Sequence, residues 1–184
     1  MYEVELKAWV DDPQAVRRRL DEACSYRRDF DKRDRYFKAP SCAAAAGWVP
    51  KQFRLRRDEE SLVCTYKHKR VEDGVEINLE REFDVSDEEA FVGLVERLGC
   101  TPFVDKHKRG SLWDYHGLNV ELSEVDRLGV FLEIERLVPD GAAAEEQDRA
   151  GREVREALVF FGVDPARIEE RPYTRMLAEG TSEE

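Results

Sequence analysis

Seven segments of this 184-residue chain alternate charged with apolar side chains at a period of two, and most carry a pair of like charges. Side chains on a β-strand point alternately to opposite faces, so each segment reads as a strand with one charged and one apolar face. The charged sides hold Glu3/Glu5, Arg54/Arg56, Lys67/Lys69, Glu80/Glu82, Lys106/Lys108 and Glu133/Glu135, with Glu121 beside Ser123 in the seventh. Opposite them lie Val4/Leu6, Phe53/Leu55, Val120/Leu122 and Leu132/Ile134. The apolar faces require a shared core, and the charged faces then have two solutions. An open sheet leaves them in water. A sheet closed on itself puts them inside, where a dry interior with this many charges is prohibitively costly. The closed solution is therefore a wet tunnel whose charges answer to a ligand. An unconstrained surface tends to mix signs between neighbours, so the same-sign rows favour the tunnel.

Three helical stretches interrupt the strands. Asp11-Asp12-Pro13 supplies an N-cap and a first-turn proline for a helix to about Cys24, with Val16, Leu20 and Ala23 as its stripe. Ser86-Asp87-Glu88-Glu89 reads as a capping box for a second helix that buries Phe91, Leu94, Val95 and Leu98 and ends at Gly99. A third spans Ala142–Phe161 with Val154, Leu158 and Phe161 inward, and Pro172–Ala178 forms a short closing helix. Strands fall at 3–10, 26–37, 51–57, 61–70, 75–85, 103–115, 118–125 and 130–138, the sixth and seventh forming a hairpin around His116-Gly117. Residues 38–50, with Pro40, four alanines, Gly47, Trp48 and Pro50, break the pattern as a loop. The fold class is α+β, with eight antiparallel strands and flanking helices, and eight strands can close into a barrel with room for one small ligand. One domain over 1–179 with a frayed tail at 180–184 is expected.

Composition narrows the function. Net charge is −11, from 41 acidic and 30 basic residues, which argues against nucleic-acid binding through a general basic field. No apolar run approaches the ~18 residues a membrane span needs, and position 1 leads straight into a charged strand rather than a secretory leader. Cys24, Cys42, Cys64 and Cys100 are scattered with no Cys-x-x-Cys pair, so neither zinc nor a disulfide framework is indicated. A cytoplasmic protein is expected. Basic rows suit a polyanion and acidic rows the divalent cation that accompanies it, and a triphosphate with Mg²⁺ or Mn²⁺ is the simplest ligand having both characters.

Glu3-x-Glu5-x-Lys7 resembles the Glu-x-Glu-x-Lys signature of the CYTH superfamily, the triphosphate tunnel metalloenzymes. Asp34-x-Tyr36-Phe37, Arg54-x-Arg56, Thr65-Tyr66-Lys67, Glu80-x-Glu82, Leu128-Gly129-x-Phe131-x-Glu133-Ile134-Glu135 and Tyr173-x-x-Met176-Leu177 are similar to its successive motifs, in order along the whole chain. The resemblance implies a closed eight-stranded tunnel, dependence on Mg²⁺ or Mn²⁺, and a triphosphate-bearing substrate such as ATP or tripolyphosphate. It assigns Glu3, Glu5 and Lys7 to catalysis. Lys7, Arg54, Arg56, Lys67, Lys106 and Lys108 grip phosphates, and Glu3, Glu5, Glu121, Glu133 and Glu135 hold metal. Cyclase-like members carry Asp where this chain has Ser123, with Glu121 as the replacement, and a Lys-x-Arg pair leaves open which of Lys106, Lys108 and Arg109 points inward. The reading is a class IV adenylyl cyclase type, with a triphosphatase as the alternative and a non-catalytic polyphosphate- or nucleotide-binding module as the next. His68, His107 and His116 fall at outward or turn positions and are structural. Asp34-x-Tyr36-Phe37 packs a strand end, Tyr173 anchors the closing helix, and Glu82 balances its basic neighbours. Trp48 either stacks on a substrate ring or packs on its own scaffold. No membrane partner is expected, and a homodimer through strand edges or outer helices is open.

Overall fold

The structure, a computed structural model, describes residues 2–40, 52–72, 74–139 and 141–180, except the side chains of 68–72. Along the chain lie β1 (Tyr2–Trp9), α1 (Pro13–Ala23), β2 (Ser25–Lys38), β3 (Gln52–Asp58), β4 (Ser61–Glu72), β5 (Val75–Asp84), α2 (Glu88–Arg97), β6 (Thr101–Tyr115), β7 (Leu118–Val125), β8 (Gly129–Val138), α3 (Ala144–Phe160) and α4 (Tyr173–Gly180). The eight strands close into a barrel in the order β1-β5-β4-β3-β2-β6-β7-β8, every pairing antiparallel. Closure leaves none of these strands an unpaired edge, so the strand-edge route to a dimer is removed. The loop expected at 38–50, with Trp48 and Cys42, lies almost entirely outside the described residues, as does the tail at 181–184.

Period-two patterning makes the barrel amphipathic, and helices cover its apolar outside. Val4, Leu6 and Ala8 of β1, Val120 of β7 and Leu132 and Ile134 of β8 pack with Val16 and Leu20 of α1 and with Val154, Leu158 and Phe161 around α3. Most of these are fully buried, each side chain contributing about 1.5–3 kcal/mol relative to exposure. A smaller cluster joins Phe37, Leu55, Leu62 and Cys64 to Val95 of α2. Two expectations about α2 shift. Its N-cap is Asp87, whose side chain accepts from the Ala90 backbone N–H, one residue beyond the expected Ser86. Val95 is buried there, with Phe91 and Val92 partly buried beside it, whereas Leu94 and Leu98 are exposed, because the helix touches the barrel along a narrow strip.

A third cluster plugs one mouth of the barrel. Trp9 and Phe131 approach with ring centroids 4.2 Å apart, Tyr173 meets Phe131 edge-on at 5.0 Å, and Val125 and Met176 complete the seal. The chain before α4 is tied along β1, with Glu169 N–H donating to the Lys7 carbonyl and the Trp9 indole donating to the Glu169 carboxylate. This docking carries Tyr173 from the far C-terminal region to the tunnel.

The β6–β7 hairpin turns at His116 and Gly117, both with positive φ, as a tight two-residue connection requires. Deeper in that pair, Gly110 lies opposite Ser123, and a Cβ added to it would stand 2.3 Å from the Leu122 carbonyl oxygen. Gly110→Ala is therefore expected to lower stability by about 1–3 kcal/mol through overpacking against backbone that cannot move aside. Urea unfolding followed by circular dichroism checks this.

Candidate functional site

Inside the barrel, the charged faces of the strands line a cavity of about 380 Å³, within the range of small-molecule sites. Strand register decides who meets whom. Glu5 of β1 lies opposite Glu135 of β8 and Lys7 opposite Glu133. Asp34 of β2 lies between Arg56 of β3 and Lys106 of β6, and Lys67 of β4 faces Glu80 of β5. All eleven residues of the expected site, Glu3, Glu5, Lys7, Arg54, Arg56, Lys67, Lys106, Lys108, Glu121, Glu133 and Glu135, contribute to this lining.

The acids divide into two groups. Glu3, Glu5 and Glu135 each offer a carboxylate oxygen within 4.8 Å of the others, which suits a small hard cation that prefers oxygen ligands. Asn78 donates to Glu5 at 2.9 Å and Asn119 to Glu135 at 3.2 Å, which orients the carboxylates. Lys67 sits beside them, 3.1 Å from Glu3 and 3.9 Å from Glu5, and also pairs with Glu80. Burial raises the Glu5 carboxyl to about 7, with Lys67 opposing and Glu76, Glu3 and Glu133 adding to it. Burial likewise raises Glu135 to about 8, with Glu3 and Glu5 reinforcing. Two raised carboxyls with a third carboxylate beside them make an arrangement that would gain from a divalent cation.

Glu121 and Glu133 are engaged otherwise. Lys108 bridges them at 2.5 Å to each, and Lys32 also pairs with Glu121. Burial alone would raise Glu121, but Lys108 and Lys32 outweigh it and hold the carboxyl far below its ordinary value. Burial lowers Lys32 to about 8, with Lys108 and Arg56 adding to the effect and Glu121 opposing it. Tyr173 donates its hydroxyl to Glu133 at 2.8 Å, so it does more than anchor α4. Lys7 is likewise committed, donating to Glu76 at 3.2 Å.

The inward register of β6 is resolved in the structure. Lys106 and Lys108 are 5% and 3% exposed and face the tunnel, whereas Arg109 lies outside and pairs with Asp126. His107 shares that outer face, its two ring nitrogens 2.9 Å from Asp126 and 2.7 Å from Asp31. His116 occupies the hairpin turn, and the His68 side chain is outside the described residues. Glu82 accepts from Thr65 at 2.7 Å and lies 3.8 Å from Arg54, consistent with charge balance.

Sequence reasoning passed over Lys32, Glu76, Asn78 and Asn119, and it assigned Asp34 to strand packing. Glu76 and Asn78 extend the period of Glu80 and Glu82 on β5, a signal that was available. Lys32 and Asp34 sit in Asp31-Lys32-Arg33-Asp34-Arg35, where both faces are charged and periodicity cannot tell inside from outside.

The sequence profile of the CYTH domain matches residues 1–165. The chain belongs to the CYTH family. A relative from Methanocaldococcus jannaschii, provisionally named an adenylate cyclase, is 23% identical, the match covering 96% of this chain and 98% of the relative. A solved structure of a Pyrococcus horikoshii protein superposes with a TM-score of 0.81 at 26% identity, covering 97% of this chain and 99% of the other. The CYTH fold is also seen in a Hippeastrum protein whose structure report describes a dominant triphosphatase activity, with a TM-score of 0.67, 14% identity, and coverage of 97% and 95%. No helix among the described residues of this CYTH chain is long and apolar enough to cross a membrane.

The raised carboxyls give a pH signature. Glu5 and Glu135 keep protons in the folded chain above 4.5, the ordinary value at which an unfolded chain releases them. Folding then takes up protons, and stability falls as pH rises from about 4.5 to about 8. In EDTA, the Tm is expected to decline across this window, and added Mg²⁺ or Mn²⁺ should offset the decline most at its upper end. Differential scanning fluorimetry over a pH series measures both effects.

Proposed function

We propose that this CYTH protein is a divalent-metal-dependent enzyme that breaks a phosphoanhydride bond of a triphosphate-bearing small molecule inside the tunnel. The observation that carries this reading is the juxtaposition, in one cavity, of the Glu3/Glu5/Glu135 carboxylates with a basic wall of Arg54, Arg56, Lys67 and Lys106. Arginine suits bidentate contact with phosphate oxygens, and lysine acts as a compact point charge. Arg54 contributes a buried Nε–H that has no partner among the described residues. Lys7, steadied by Glu76, and Lys108, steadied by Glu121 and Glu133, add positive charge deeper in the cavity. A divalent cation held by Glu3, Glu5 and Glu135 would offset phosphate charge and polarise a phosphoryl oxygen. Rate acceleration would then come mainly from positioning and fixed charge.

The leading form is ATP cyclisation. The ribose 3′-hydroxyl oxygen attacks the α-phosphorus and gives up its proton, the bond to the bridging oxygen of the leaving diphosphate breaks, and cyclic AMP, pyrophosphate and that proton, released to solvent, result. The name of the Methanocaldococcus relative and the cyclase-like Asp34-x-Tyr36-Phe37 motif support it. Ser123 favours a second form, a triphosphatase in which water attacks the terminal phosphorus, the bond to its bridging oxygen breaks, and phosphate leaves along with the remaining diphosphate part and a proton. The residue stands where cyclase-like members carry Asp, and its buried hydroxyl is uncharged and without a partner among the described residues. Incubating the protein with ATP or tripolyphosphate and Mg²⁺ or Mn²⁺, then separating cyclic AMP, ADP, pyrophosphate and phosphate, distinguishes the two. Replacing Glu3 and Glu5 together by Gln is expected to lower turnover by about 100-fold or more while the protein stays folded. Wild-type turnover in that variant rules out the assignment.

A further inference from the structure

Three cations of the basic wall converge on one carboxylate. Asp34 is 2% exposed. Its Oδ1 accepts from Arg56 Nε at 2.7 Å and its Oδ2 from the same guanidinium at 2.9 Å, a bidentate pair. Lys106 Nζ is 2.9 Å from Oδ2 and Arg54 is 3.9 Å from it, while the Tyr36 hydroxyl reaches it at 3.4 Å. The arrangement is built into the sheet, since Asp34 lies directly opposite Arg56 on one neighbouring strand and Lys106 on the other. Burial alone would raise this carboxyl, yet Lys106, Arg56 and Arg54 hold it well below the ordinary range.

We propose that Asp34 is a positioning residue for the triphosphate, a resident anion that fixes Arg54, Arg56 and Lys106 in one arrangement and remains bound to them in the complex. The proposal rests on the functional reading above. Without Asp34, three positive charges within a few ångströms would repel and splay. With it, the Nε edge of Arg56 is occupied, and its remaining N–H groups, the Nε–H of Arg54 and the free protons of Lys106 are left for phosphate oxygens. The resident charge also opposes the incoming anion. It thus lowers affinity for free polyphosphate while holding the donors in reactive alignment, a combination that fits an enzyme which must release an anionic product.

Asp34→Asn separates these effects, because it keeps the side-chain size and removes the charge. Titration calorimetry in EDTA is expected to show tripolyphosphate binding tightened by about five-fold or more, as a repulsive charge is lost. With metal and the preferred substrate, kcat should fall about ten-fold or more, as the donors lose alignment. A purely structural role predicts the opposite pairing, with weaker binding and a kcat loss that follows the folded fraction. Binding in the folded variant that is unchanged or weaker overturns the proposal. Should the variant not fold, the wild-type protein still decides. The Arg56 Nε–H resonance, assigned by its loss in Arg56→Lys, is expected to stay slowly exchanging at saturating tripolyphosphate and Mg²⁺. Its loss to solvent exchange would show that phosphate displaces Asp34. A wild-type protein that binds no tripolyphosphate overturns the functional reading along with this proposal, whereas wild-type binding weakened in the variant overturns this proposal alone.

Discussion

Burying charge inside a closed barrel is the constraint on which the rest of this structure depends. An isolated ion taken from water into a low-dielectric interior costs several kcal/mol even after relaxation, so every inward charge must find an opposite one or face a wet cavity. The tunnel does both. Asp34 gathers Arg54, Arg56 and Lys106, Lys108 spans Glu121 and Glu133, and Lys7 rests on Glu76. Among the described residues, it is around Glu3, Glu5 and Glu135 that like charges crowd together with too little compensation, despite Lys67 at their edge. That imbalance is what the proposed cation would relieve.

The outer faces solve the complementary problem. Closing the sheet gives every strand a partner on both sides, and α1 and α3 then bury the apolar face of β1, β7 and β8. The aromatic seal of Trp9, Phe131 and Tyr173 belongs to both halves of the design. It is part of the hydrophobic packing that docks α4, and it places the Tyr173 hydroxyl on Glu133. The closing helix is thereby tied to the charge network that it covers.

Legibility in the sequence followed the clarity of the period. Where one face was apolar, as in Val4/Leu6 against Glu3/Glu5 or Leu132/Ile134 against Glu133/Glu135, the inward set could be read directly. In β2, charges fall on both faces from Asp31 to Arg35, and the inward roles of Lys32 and Asp34 were hidden. Along β6, two adjacent registers offered basic residues, so local pattern could not choose between Lys108 and Arg109. In α2, the apolar spacing of Leu94 and Leu98 suggested burial, but the barrel does not reach that side of the helix.

The chain by itself determined that there would be eight strands, seven of them with a readable charged face, and it suggested a polyanion with its metal as the ligand of those rows. These follow from side-chain alternation, a local property of extended backbone. Tertiary structure decided the pairings. Glu135 joins Glu3 and Glu5 while Glu121 and Glu133 turn to lysines, and Asp34 stands among three cations, because these contacts depend on strand order and register around the closed barrel. Residues about a hundred positions apart meet only when the sheet closes, and no local spacing encodes that distance.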